Sequence, residues 1–266
     1  MDDIVYKYRD WSDDLHKRML SHNEIFLASP SSLNDPFDSR IPIRFDRGNE
    51  EQAFEMALRV VRYENPTLDD SEQRKMAHEI VATEMWKDPQ NIERQREYQG
   101  HKIDNDFGVC AFSAKRDISL AWTHYAANHF GFCVGFNSKG VIEHFRTNLS
   151  STGLIADFYP VKYVEEFPFI DGFQTPNSEN VITVLSTKAS SWAYEEEIRL
   201  ILITGTNQVI ALDDTVIQEV ILGMRMPDDF KNEITEIAKS KGSRLRLFQA
   251  KRTEDNFRIM FEQIDY

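Results

Sequence analysis

Residues 194–204 read Tyr-Glu-Glu-Glu-Ile-Arg-Leu-Ile-Leu-Ile-Thr, three consecutive acids running into an apolar stretch rich in isoleucine. A short apolar run of this kind fits a buried strand. Side chains alternate along a strand, so an extended 195–203 puts Glu195, Glu197 and Arg199 on one face and Glu196, Ile198, Leu200 and Leu202 on the other. At a rise of about 3.3 Å per residue, the Cα atoms of Glu195 and Glu197 lie about 6 to 7 Å apart, near enough to address one sugar or one leaving group. Carboxyls held that close also drive their pKa values apart. The competing reading is a solvated strand start whose charges deter edge pairing.

Working outward, the same strand texture fills the chain from residue 107 onward, in FGVCAFS, GFCVGFN, LIADFYPVKYV, QVIALD, EVILGM, RLRLFQA and FRIMFEQ. Helices are predicted between them over Ser119–Ala127, Val141–Leu149, Val181–Thr187 and Asp228–Lys241. Towards the N-terminus, Tyr6–Trp11 suggests a short strand and turn, Asp13–Ser21 a helix, and Glu24–Ala28 a strand bounded by SPSSLNDPFD. The Asn34-Asp35-Pro36-Phe37-Asp38 segment should be an ordered loop, since Asn and Asp bond their own backbone and Pro36 fixes φ. Residues 49–101 are rich in Glu, Gln, Arg, Ala and Met, with Phe54, Leu58 and Val61 at helical spacing, and read as a helical insert broken at Pro66 and Pro89. Irregular alternation of strands and helices points to an α+β fold, one domain over 1–266 carrying that insert.

Composition narrows the function classes. A net charge of −13 argues against nonspecific nucleic-acid binding, and no recognisable set of metal-binding acids supports a nuclease. The start MDDIVYKYRDW has neither the basic opening nor the apolar stretch of a secretory signal, and no run approaches a membrane span, so a cytoplasmic protein is expected. Cys110 and Cys133 lie in apolar stretches and read as core thiols. Neither GxGxxG nor GxxxxGK[ST] occurs, and His124 and His129, five apart, form neither HxxxH nor HExxH and have no third ligand marked.

Further candidates lie outside the acidic stretch. In Trp122–Phe130, a continuous helix would set His124 above Asn128 and Tyr125 above His129, presenting polar rings to a cleft; hydrogen-bonded core histidines are the plainer alternative. Arg9 follows Tyr6 and Tyr8 in a short strand, where a half-buried guanidinium needs either an acidic side chain or a ligand phosphate. Ser113 ends GVCAFS without a nucleophile elbow around it.

The order YKYR, LASPSSLNDPFD, GVCAFS, LAWTHYAANHFGFCVGF and K…WAYEEEIRLI, spanning residues 4–204, resembles a large family of uncharacterised bacterial proteins, a domain of unknown function found in mobile and phage-defence settings. Ala121 and Ile198 depart from that pattern without removing a polar group. An arginine on a first strand, an aromatic-Ser on a second and Glu-x-Glu opening a third is also distantly similar to the ADP-ribosyltransferase fold. That similarity implies a mixed, largely antiparallel split sheet and NAD as substrate, with no metal. The nicotinamide glycosidic bond would be cleaved and ADP-ribose passed to a protein, a nucleic acid, a small molecule or water. It implies Glu197 on the ribose 2′-hydroxyl, Glu195 orienting or deprotonating the acceptor, and His124 and Tyr125 at the nicotinamide end. Arg9 would grip the pyrophosphate and Ser113 brace the glutamate or ribose, with Tyr8, Asn34 and Arg199 completing the binding surface. The alternative is a noncatalytic nucleotide- or protein-binding module whose helical insert meets a partner.

Overall fold

A computed structural model describes residues 4–148, 156–174, 177–242 and 244–266. In chain order the first elements are β1 (Ile4–Arg9), α1 (Asp14–Ser21), β2 (Glu24–Leu27), β3 (Ile43–Arg44), α2 (Glu50–Glu64), α3 (Asp70–Ala82), α4 (Pro89–Asp106) and β4 (Phe107–Ser113). There follow α5 (Ser119–Tyr125), β5 (Phe132–Asn137), α6 (Ser138–Asn148), β6 (Ala156–Pro160), β7 (Lys162–Val164), β8 (Ile170–Asp171), α7 (Ser178–Leu185) and β9 (Thr187–Ala189). The chain closes with β10 (Glu197–Ile203), β11 (Gln208–Ala211), β12 (Ile217–Leu222), α8 (Asp228–Lys241), β13 (Arg246–Arg252) and β14 (Ile259–Ile264). The expected positions of Leu149, Leu154 and Ile155 in a helix and a strand lie outside the described residues.

The fold is α+β, built on a mixed, mostly antiparallel sheet of eight strands in the order β14-β13-β12-β5-β1-β4-β10-β6, with only β12 and β13 parallel. Most neighbours in it pair over four or more residues, but β1 and β4 meet at one pair, Tyr6 opposite Ser113. Past that pair the backbone of Val109 on β4 exchanges hydrogen bonds with Ala28 instead, at 2.9 and 2.8 Å. The sheet therefore consists of five strands and three strands joined at a single point. Lys7, Tyr8 and Arg9 run alongside a gap.

Each face is covered by helices whose apolar stripes match it. One face buries Phe112, Phe132, Val134 and Leu200 against Leu20 of α1, Val141 and Phe145 of α6, and Ile234 of α8. The other packs Tyr8, Cys133 and Ile221 against Trp122 of α5 and Ala126 just beyond it. Both cysteines are buried and free.

Helices α2 to α4 make up the predicted insert and start where the sequence supplies caps. Asn49 with Gln52 and Asp69 with Glu72 form reciprocal capping boxes, and Asp88 caps a helix opened by Pro89. The insert has its own small core, in which Ala57, Leu58, Ala77 and Val81 pack with Phe45 and Phe173. Its last helix runs to Asp106, five residues past the expected end, and passes straight into β4.

Two local expectations change. Helix α5 stops at Tyr125, because Ala127, Asn128 and His129 all take left-handed backbone angles. The amides of Asn128, His129 and Gly131 bond back to the carbonyls of Thr123, Trp122 and Ala126, turning the chain into β5. The predicted pairs His124 over Asn128 and Tyr125 over His129 do not form; His129 stacks on Trp122, with ring planes 8° apart. Nor is Glu195 on a strand. It ends a 3-10 turn over Ser190–Glu195, and Glu196 adopts a left-handed φ of 43° before β10 begins at Glu197. Among the described residues no helix is long and apolar enough to cross a membrane.

Candidate functional site

The gap between β1 and β4 opens into a cleft of about 340 Å³. Its lining includes Arg9 and Tyr8 from β1, Ser113 from β4, Tyr125 from α5, Asn34 from the loop after β2, Glu195 from the turn before β10, and Glu197 at the start of β10. Seven of the nine residues singled out from sequence thus share one cavity, though they span positions 8 to 197. The other two lie elsewhere. Arg199 is wholly buried behind Glu197, and His124 is exposed on the rim, its ring 6.4 Å from that of Tyr194.

The left-handed Glu196 decides how the acids are presented. It breaks the strand so that Glu195 and Glu197 converge on one cation, while Glu196 points away and pairs with Lys115 at the surface. Two bonds from the end of β4 and the residue after it hold the turn: Ser113 Oγ donates to the Glu195 carbonyl at 2.8 Å, and the Ala114 amide donates to the Glu196 carbonyl at 2.9 Å. Ser113 thereby braces the main chain of the carboxylate pair and accepts from the Lys115 amide.

The shared cation is Lys188 on β9. Its Nζ lies 2.6 Å from Glu195 Oε2 and 2.9 Å from Glu197 Oε2, over the ring of Trp192. Behind it, Arg199 donates through Nε to Glu197 Oε1 at 2.7 Å and grips both oxygens of Asp38 at 2.8 and 2.6 Å. Burial alone would raise the Glu197 carboxyl, but Arg199 and Lys188 outweigh it and hold the group below its usual range. Burial would likewise lower Lys188, yet Glu197 and Glu195 keep it above its ordinary value. Glu197 is therefore a fixed anion. Tyr125 Oη donates to Glu195 Oε1 at 2.5 Å; burial and that bond push its phenol well up, so it stays a donor. Tyr163 Oη accepts from the Glu197 amide at 2.8 Å.

Lys188, Asp38 and Lys7 are the site residues that sequence reasoning left without a role. Asp38 could have been sought, since an arginine inside the apolar run IRLILI demands a buried acid, and the NDPFD loop ends in one. The loop is ordered as expected, with Asp35 Oδ1 accepting from the Phe37 amide. Its function as the anchor for Arg199, 161 positions away, is a tertiary fact. Lys7 lies in the cleft between Tyr6 and Tyr8, where only the missing β4 partner leaves room for it.

Such a site can hold an anion against β1 and place a rigid carboxylate against a developing positive charge. Among the described residues no group of three His, Cys, Asp or Glu side chains is arranged to hold a metal ion. No curated protein and no solved structure matches the chain. Residues 121–200, which carry most of α5, Lys188, both cleft glutamates and Arg199, match the model of a family described as a protein of unknown function, DUF2971.

Proposed function

We propose that the cleft binds NAD and cleaves its nicotinamide glycosidic bond, transferring ADP-ribose to an acceptor or to water, on an ADP-ribosyltransferase-like split sheet. One observation carries the reading: Arg9 on β1, Ser113 on β4 and Glu197 on β10, three adjacent strands, line one cleft where the sheet parts, and Glu195, at the end of the turn that leads into β10, joins them there. In the reaction the C1′–N bond breaks with its electron pair going to the cationic ring, which leaves as neutral nicotinamide. The ribose becomes oxocarbenium-like, and Glu197, ionised and held by Arg199 and Lys188, stabilises that charge and accepts from the 2′-hydroxyl. The acceptor's oxygen or nitrogen forms the new bond to C1′ and loses its proton towards Glu195. Arg9 meets the diphosphate, with Tyr8 and Asn34 along the same wall, and Tyr125 fixes Glu195. A cleft of about 340 Å³ is at the small end of ligand sites, so it takes the nicotinamide riboside and diphosphate while the adenosine extends along the open side.

The test is release of nicotinamide from NAD by the full chain, with and without cell extract. Glu197→Gln should lower the rate by about 100-fold or more, since it removes an electrostatic stabiliser. Glu196→Gln should leave it unchanged. A second reading, ligand binding without turnover, is favoured by one feature: both cleft carboxylates already accept from Lys188. Binding of ADP-ribose with no nicotinamide release under either condition would select it.

A further inference from the structure

Charge in the cleft is balanced on one wall and unbalanced on the other. Lys7 and Arg9 project from the same face of β1, with Cα atoms about 6 to 7 Å apart by strand geometry. Lys7 is only 6% exposed, yet among the described residues neither cation forms an ion pair. Lys7 Nζ donates to the Ala111 carbonyl, which the parting of β1 from β4 has left open, and lies 5.2 Å from the centre of the Phe112 ring. Arg9 donates to the carbonyl of Tyr8.

Two like charges close together, Lys7 buried and Arg9 half-buried, with no acidic side chain in ion-pair contact with either among the described residues, are an arrangement that folding alone disfavours. The same chain neutralises buried charges elsewhere: Glu219 sits between Arg116 and Arg246, each at 2.9 Å, and Arg199 between Asp38 and Glu197. A purely structural lysine at position 7 would need one donor for Ala111; an ammonium has three. Burial and the neighbouring Arg9 bring Lys7 down to about 8, which leaves it mostly cationic at neutral pH and ready to gain from an anion.

We propose that Lys7 and Arg9 form a two-cation clamp for the diphosphate of a nucleoside-diphosphate ligand, with Lys7 meeting one phosphate as a point charge and Arg9 gripping the other through its planar fork. Only the identity of the rest of the ligand rests on the NAD reading. The clamp itself requires a diphosphate alone.

The full chain should be titrated calorimetrically with ADP-ribose, with inorganic pyrophosphate and with nicotinamide. Loss of one charge-assisted contact in Lys7→Met should weaken ADP-ribose and pyrophosphate by about 10- to 100-fold. Lys7→Arg should stay within about tenfold of the native protein, because it keeps the charge, and nicotinamide should bind every form alike. Pyrophosphate bound by the native chain and lost in Lys7→Met, with no affinity for ADP-ribose, would uphold the clamp and sink the NAD reading. ADP-ribose bound equally by native protein and Lys7→Met would overturn the clamp and leave the NAD reading standing. No affinity for pyrophosphate or ADP-ribose overturns the clamp outright. Should Lys7→Met not fold, the native chain decides by reductive methylation: saturating pyrophosphate should protect Lys7, and unchanged labelling would refute its role.

Discussion

The two walls of the cleft handle buried charge in opposite ways. On the β10 side, Lys188, Glu195, Glu197, Arg199 and Asp38 form a closed set in which every ion meets an opposite one. On the β1 side, Lys7 and Arg9 face the cavity with backbone carbonyls for partners. A closed buried network contributes little net stability over apolar packing, because desolvation offsets attraction, but it fixes geometry. An open one is unfavourable until something fills it, as expected of a binding wall. Breaking each wall should therefore give effects of opposite sign. Arg199→Met takes from Asp38 its bidentate partner and from Glu197 one of its two cations, leaving only Lys188 for both, and should lower stability by about 3 to 5 kcal/mol. Lys7→Met, an apolar replacement of similar length, should be neutral or stabilising. Urea unfolding midpoints of the two variants read the contrast directly, and two losses of equal size would contradict it.

The contrast also has a pH signature. Lys7 is held at about 8, against an ordinary 10.5. Below pH 8 both folded and unfolded chains carry the proton, and the full cost of burying it is present. Between pH 8 and 10.5 the unfolded chain binds more protons than the folded one, so stability rises with pH. The whole rise is bounded at about 3 kcal/mol. The groups facing Lys7 are Arg9 on its own strand, Cys110 and Phe112 on β4, and Glu197 on β10. Tyr6, raised by burial and Glu219, pulls stability the other way above pH 10 in both proteins. The measurement is accordingly the difference between native protein and Lys7→Met, which should shrink as pH climbs from 8 to 10.5.

A smaller effect is expected where the closed wall meets α5. Tyr125→Phe removes the donor to Glu195 Oε1 and leaves Lys188 on the other oxygen, so the loss should be about 2 kcal/mol. Affinity for pyrophosphate on the opposite wall should hardly move. A large drop in that affinity would mean that the walls are coupled and the division between them is misplaced.

Much of this frame is legible in the residues. The apolar strands, the capped helices of the insert and the ordered NDPFD loop follow from local pattern, because each depends on neighbours a few positions away. The grouping of Glu195 with Glu197 was also readable, though for the wrong backbone reason. Strand alternation assigns them to one face, whereas the structure brings them together through a left-handed residue. No glycine or asparagine marks that turn; Ser113 Oγ and the Ala114 amide, about 80 positions away, enforce it. The single-pair junction between β1 and β4 is equally invisible locally. It depends on Ala28 taking the place beside Val109, and Lys7 acquires its meaning only once that gap exists.

Glu196 supplies the finest test of how the carboxylate wall is built. A non-glycine residue at φ 43° carries a backbone penalty on the order of 1 kcal/mol, and Glu196→Gly would relieve it. Against that gain stand the added backbone freedom of the unfolded chain and the loss of the surface pair with Lys115, which is well exposed and screened. The net change in unfolding midpoint should be small. If bracing by Ser113 sets the turn, Glu196→Gly leaves Glu195 and Glu197 on Lys188, and the nicotinamide release proposed for the cleft is no slower than with the native chain. Ser113→Ala removes the brace but not the strain, and should loosen the pair. The double variant then separates the two: if Glu196→Gly restores what Ser113→Ala loses, conformational strain was the opposing force, and if it deepens the loss, the left-handed glutamate itself helps hold the acids together.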